Sequence, residues 1–176
     1  DFAGNDIGVA GALVIGGLMP LMSQLASVRL DGRAVPVQRL YGTELASSVD
    51  LSNAGLGELS AVLIASLVNS NSGESLTKLN LAGNDLGPVG SQAIAKAVLK
   101  YNSLVRMDFS SNDIGSYALR TFGDVVSLCQ SLQQVNLSNN NLGETGGLAF
   151  AEALAQWTCK VKTVNLSNNR LGPKGG

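Results

Sequence analysis

The twelve-residue stretch Leu132–Gly143, LQQVNLSNNNLG, sets the terms for the whole chain. Its apolar residues fall at positions 1, 4, 6 and 11, with Asn140 at position 9 and Gly143 at position 12. Alternation across Val135 and Leu137 predicts a short strand that turns both side chains to one face. Leu142 then brings the chain back to that face after a tight bend. Asn140 carries two amide donors and a carbonyl acceptor, which suits it to bond the backbone groups that such a bend leaves unpaired in a core.

The pattern recurs. Leu76, Leu79, Leu81, Asn84, Leu86 and Gly87 fit it, as do Leu104, Met107, Phe109, Asn112, Ile114 and Gly115. Val161, Val164, Leu166, Asn169, Leu171 and Gly172 form a further copy, and the starts are 28, 28 and 29 residues apart. Both the period and the residue pattern are those of leucine-rich repeats. With the following GxxxIAxA segment, Gly90 to Ala97, the chain resembles the ribonuclease-inhibitor-like class of that family. The expected fold is an α/β solenoid, a curved horseshoe with a parallel β-sheet on its concave face and helices on its convex face. About seven units are expected: a partial one at 1–24, an irregular one at 25–45, then 46–75, 76–103, 104–131, 132–160 and a partial one at 161–176. Because the first and last units cut through the pattern, the chain is expected to be a fragment of a longer protein.

Two units depart from the pattern. At 25–45, Leu25, Val28, Leu30 and Val35 keep the apolar frame, but Arg33 and Pro36 replace Asn and Gly. That unit leaves room after it for a single turn or 3₁₀ segment over Val37 to Tyr41. At 46–75, Ala54 holds the Asn position with Asn53 beside it as a substitute, and a helix is expected from Glu58 to Val68. The apolar run Val9 to Met22 contains glycines and Pro20 and is shorter than the roughly 18 residues of a membrane span. Its register places it as a buried helix ended by Pro20. In the helices, position 15 is small (Gly11, Ser60, Gly90, Ala118, Gly146, Gly175), which lets the backbone approach the strand layer. Position 19 is bulky (Ile15, Ile64, Ile94, Phe122, Phe150) and marks the core-facing stripe. The asparagines Asn5, Asn84, Asn112, Asn140 and Asn169 should form a structural ladder, each bonding the bend of its own repeat.

Chemistry is sparse. The chain has no histidine, which removes the commonest general base and metal ligand, and its net charge of −1 offers no field to nucleic acid or anionic membrane. Cys129 and Cys159 have no metal-binding spacing and read as free thiols of a reducing compartment. The Asn-Leu-Ser triplets at Asn136 and Asn165 follow from the repeat itself rather than from glycosylation. Asp85 and Asp113, at position 10 of adjacent repeats, read as solvated carboxylates, with a shared divalent cation as the alternative. No catalytic residue, cofactor or metal is expected.

The solvent-facing positions 3, 5 and 7 of the sheet carry no aromatic anchor. A partner is therefore expected either to bind there weakly through polar contacts or to use an edge, the loops or segments outside this chain. The mixed polar patch Lys78, Asn80, Arg106, Asp108, Gln134 and Asn136 is the candidate protein-binding site. Relatives in the resembled class include ribonuclease inhibitors, NOD-like receptors, Ran GTPase-activating proteins, tropomodulins and axonemal proteins. The resemblance implies a non-catalytic protein-interaction scaffold, cytoplasmic, cytoskeletal or cilium-associated, within a larger assembly. The alternative is a GTPase-activating or NOD-like-receptor-type sensing domain, in which Arg29 or Arg33 would face a bound nucleotide.

Overall fold

A computed structural model describes residues 8–22, 25–38, 47–70, 76–99, 101–155 and 160–175. Five short strands, β3 (Ser48–Asp50), β4 (Lys78–Asn80), β5 (Arg106–Asp108), β6 (Gln134–Asn136) and β7 (Thr163–Asn165), pair in chain order as one parallel sheet. Register pairs Lys78 with Arg106 and Arg106 with Gln134, so equal repeat positions lie side by side across the sheet. Helices follow each strand: α2 (Glu58–Ser70), α3 (Gly87–Val98), α4 (Leu119–Leu128), α5 (Gly143–Leu154) and the short α6 (Gly172–Gly175). Position 12 opens this segment in the left-handed region, with φ of 61° at Gly87, 66° at Gly115, 65° at Gly143 and 67° at Gly172, which explains why the pattern needs glycine there.

The core lies between sheet and helices. Leu79, Met107 and Val135 point inward from the strands, and Ile64, Ile94, Phe122 and Phe150 meet them from the helices, all buried. Phe109 and Phe122 stack edge to face with centroids 5.0 Å apart. The bulky column at position 19 is thus core. The small column at position 15 has a different cause from the expected one. A Cβ on Gly90 would stand 2.6 Å from Ala61 Cβ and 3.0 Å from the Glu58 carbonyl, so the small residue admits the neighbouring helix, not the strand layer. Gly146 meets Ser116 and Leu119 in the same way.

The asparagines stitch repeats together. Asn140 donates its side-chain amide to Leu137 O and Ser138 O in its own bend, and to Phe109 O one repeat earlier. Its Oδ1 accepts from Asn112 N at 2.9 Å and Ile114 N at 3.4 Å, again one repeat earlier. Asn84 repeats this toward Ala54 N, Leu56 N and Leu51 O, and Asn169 toward Asn140 N and Leu137 O. The ladder therefore serves the preceding repeat as well as its own, which the expectation of purely local bonds had missed. Asn112 is the exception: its Nδ2 donates normally, but its buried Oδ1 has no partner. In that repeat α4 also starts late, at Leu119, after a turn over 115–118, so the unit 104–131 is less regular than its sequence suggests. Asn5 lies outside the described residues.

The irregular units differ more. Residues 27–36 do not add a strand to the parallel sheet. They form a separate antiparallel hairpin of β1 (Ser27–Leu30) and β2 (Arg33–Pro36). Asp31 and Gly32 both take positive φ, 47° and 77°, the geometry of a two-residue turn that matches strand twist. Val28, Leu30 and Val35 face inward and Arg29, Arg33 and Ala34 face solvent. Asp31 holds the hairpin to the rest: its Oδ2 accepts from Gly57 N at 2.9 Å and from the Ser60 hydroxyl at the start of α2. Asn53 does not replace the missing ladder asparagine; it occupies the left-handed region itself (φ 50°), and Ala54 N is bonded by Asn84.

The apolar run Val9 to Met22 is helical, as α1 (Gly8–Leu18) followed by a 3₁₀ turn at Met19–Leu21 that contains Pro20. It is not the buried core helix expected. Ala12, Gly16 and Met19 are buried against α2, where a Cβ on Gly16 would stand 2.3 Å from Ser66 Cβ. Leu13, Val14, Leu18, Leu21 and Met22 are more than half exposed. A helix apolar on every side gives no signal as to which side is covered. No helix among the described residues is long and apolar enough to cross a membrane.

Candidate interaction surface

Each strand of the parallel sheet contributes three residues, of which only the middle one points into the core. Register therefore builds two solvent-side rows, the first exposed and the second half-buried on β4, β5 and β6. Position 3 gives Ser48, Lys78, Arg106, Gln134 and Thr163; position 5 gives Asp50, Asn80, Asp108, Asn136 and Asn165. Together they line an open trough of about 460 Å³. All six residues of the patch read from the sequence lie in it, on three adjacent strands.

The two rows are held differently. In the position-5 row each side chain is tied down. Asp108 Oδ1 accepts from Ser110 N at 2.9 Å and Ser110 Oγ at 2.7 Å, while its Oδ2 accepts from Asn136 Nδ2 at 2.9 Å. Asp50 is held alike by Ser52 N and Ser52 Oγ, with a further hydrogen bond from Asn80. The Ser52 hydroxyl, then its amide, hold the Asp50 carboxyl below its usual range, since both bonds favour the charged form. Asn80, Asn136 and Asn165 accept from the amide two residues on, at Ala82, Ser138 and Ser167. Position 7, read from the sequence as solvent-facing, thus brackets position 5, and Ser138 is buried. In the position-3 row Lys78, Arg106 and Gln134 are exposed, and among the described residues neither cation is paired with a carboxylate.

Other candidates are placed elsewhere. Arg29 and Arg33 belong to the hairpin, and Arg29 donates to Gly32 O in its own turn at 3.1 Å. Asp113 accepts from Asn141 Nδ2 at 2.9 Å, while the Asp85 amide donates to Leu56 O. Among the described residues no group of three or more His, Cys, Asp or Glu side chains is placed to hold a metal ion. Cys129 is buried, and burial pushes its thiol up to about 11. Cys159 lies outside the described residues.

The sequence model of a family described as Leucine Rich repeat matches residues 74–95, 128–151 and 159–176. No match was found among curated protein sequences. Among solved structures, the Leiomodin-1 Actin-Binding Site 2 is similar with a TM-score of 0.65 at 14% identity, over 74% of this chain and 76% of that one. The tropomodulin C-terminal domain of Caenorhabditis elegans is similar with a TM-score of 0.64 at 15% identity, over 74% of this chain and 80% of that one. At such identities the likeness is one of fold. Three stretches of the chain match leucine-rich repeats, and its α/β fold is like that of the leiomodin and tropomodulin domains.

Proposed function

We propose that the chain is a non-catalytic protein-interaction domain that works through its strand face within a cytoskeletal assembly. The observation that carries this is the exposed position-3 row: polar side chains in register on five strands, raised on a position-5 row that hydrogen bonds hold in place. Such a preorganised surface lowers the ordering cost of binding. Because leiomodin's similar domain is an actin-binding site, actin is the first partner to test. The neighbours lend no support to a ciliary setting. A GTPase-activating role gains nothing either, since Arg29 is engaged in its hairpin turn.

The test is hydrogen exchange of the chain with and without actin, or with the partner recovered by cross-linking in cell extract. Protection centred on 78–80, 106–108 and 134–136 is expected. Protection confined to the helices would refute the strand face as the binding surface.

A further inference from the structure

We infer that the strand face takes an acidic segment of its partner, with Lys78 and Arg106 as the residues that hold its carboxylates. This rests on the strand face being the binding surface proposed above. Formally the regular part of the trough is balanced, with Lys78 and Arg106 against Asp50 and Asp108. Geometrically it is not. Asp108 already accepts three hydrogen bonds, from Ser110 N, Ser110 Oγ and Asn136 Nδ2. Asp50 accepts from Ser52 N and Ser52 Oγ on one oxygen. A carboxylate has about four acceptor positions, so most of theirs are spent within the sheet.

The cations have spent nothing. The ammonium offers three donors and the guanidinium five, and among the described residues no acceptor claims them. Lys78 and Arg106 are direct register partners on adjacent strands, about 4.8 Å apart at the backbone. Their side chains stand on the exposed row, flanked by the neutral Ser48, Gln134 and Thr163. An incoming carboxylate meets a bidentate fork at Arg106 and a point charge beside it, without displacing any existing bond. An incoming ammonium meets carboxylates whose lone pairs are mostly occupied, beside two cations that no carboxylate bonds. The face selects acid over base although the chain as a whole is slightly acidic, with net charge −1.

Fluorescein-labelled octaglutamate and octalysine peptides are the probes, followed by anisotropy at about 50 mM and about 200 mM salt. Octaglutamate should bind, and binding should weaken with salt. Arg106→Glu and Lys78→Glu should each weaken it at least about tenfold, and the neutral Arg106→Gln by less. Asp108→Asn should strengthen it about twofold by removing a repelling charge. Lys96→Glu, a change of equal charge on the exposed side of α3, should leave it unchanged. Octalysine binding as tightly, or Lys96→Glu acting as strongly as Arg106→Glu, would overturn the inference. If a native partner protects the strand rows from exchange while octaglutamate does not bind, the acidic preference fails and the strand-face reading stands. If the partner protects only the helices, both fail.

Discussion

Residues 76–154 and residues 8–38 reach a buried core by opposite routes. In the first region most turns of the pattern are answered twice, by packing and by hydrogen bonds, the unpaired Asn112 Oδ1 being the exception. Gly90 brings α3 within reach of Ala61, and Asn84 and Asn140 close the bends of the repeats before them. In the second region apolar side chains are just as plentiful, but few are locked. Among the described residues the hairpin's side-chain hydrogen bonds to the rest run through Asp31, and α1 buries one narrow side while Leu13, Val14 and Leu18 face outward. Hydrophobicity alone therefore does not set how firmly a segment is held. What separates the two regions is the supply of residues, small or amide-bearing, that fix one geometry and exclude its neighbours.

Four substitutions probe this contrast, beginning with the largest effect. Asn140→Ala removes the acceptor of the Asn112 amide and the donor to Phe109 and Leu137 carbonyls, all buried, and should cost about 4 kcal/mol in denaturant unfolding. Asn112→Ala should cost about half as much, because its Oδ1 serves no amide. Equal losses at the two sites would mean that the Oδ1 bonds to the preceding repeat add nothing. Gly90→Val places a branched side chain where a Cβ already stands 2.6 Å from Ala61 Cβ and should cost about 3 kcal/mol. Its counterpart Gly17→Ala, with nothing within 4 Å of the added Cβ, should instead stabilise α1 by about 0.5 kcal/mol. A loss at Gly17 would show that α1 is more tightly packed than its exposed side chains indicate.

Asp31→Ala should cost about 1–2 kcal/mol. Amide exchange should quicken in 27–36 and leave 106–136 unaffected. Even in the unaltered protein, exchange should be faster in the hairpin than in β4, β5 and β6. Uniform rates across both regions would erase the comparison. The smallest effect at neutral pH concerns Cys129. Its folded-state thiol is raised from an ordinary 9.0 to about 11, so the folded protein holds the proton more firmly than the unfolded chain does. Its contribution to stability is present in full below about pH 9 and is lost as pH rises toward about 11. Iodoacetamide should therefore label it in urea and barely at all in the native state at pH 8.

The parallel sheet, its register and the helices that cover it were legible because the 28-residue period repeats the same physical demands. The six residues of the candidate patch share one face because of that register. Three things were not legible from the period. The hairpin was hidden because Val28, Leu30 and Val35 satisfy a repeat frame and a two-strand alternation equally well. Asp31-Gly32, a favoured two-residue turn flanked by such residues, was the signal that distinguishes them. The exposure of α1 was hidden because a helix without a polar face carries no direction. The division of the patch into tied carboxylates and unclaimed cations was hidden because it depends on Ser52, Ser110 and Asn136 reaching particular oxygens. Spacing cannot show that.

The asparagine ladder also gives the molecule a mechanical polarity. Asn84, Asn140 and Asn169 each satisfy amides of the repeat that precedes them. Force that peels repeats away from the C-terminal side strips the next repeat of partners for its own backbone, so every rupture weakens the following one. Force applied from the N-terminal side leaves each asparagine's bonds to its own bend in place, while strand amides such as Arg106 N lose their carbonyl acceptors. The same contacts break in both directions, but only from the C-terminal side do bend amides such as Asn112 N and Asn140 N lose an asparagine acceptor.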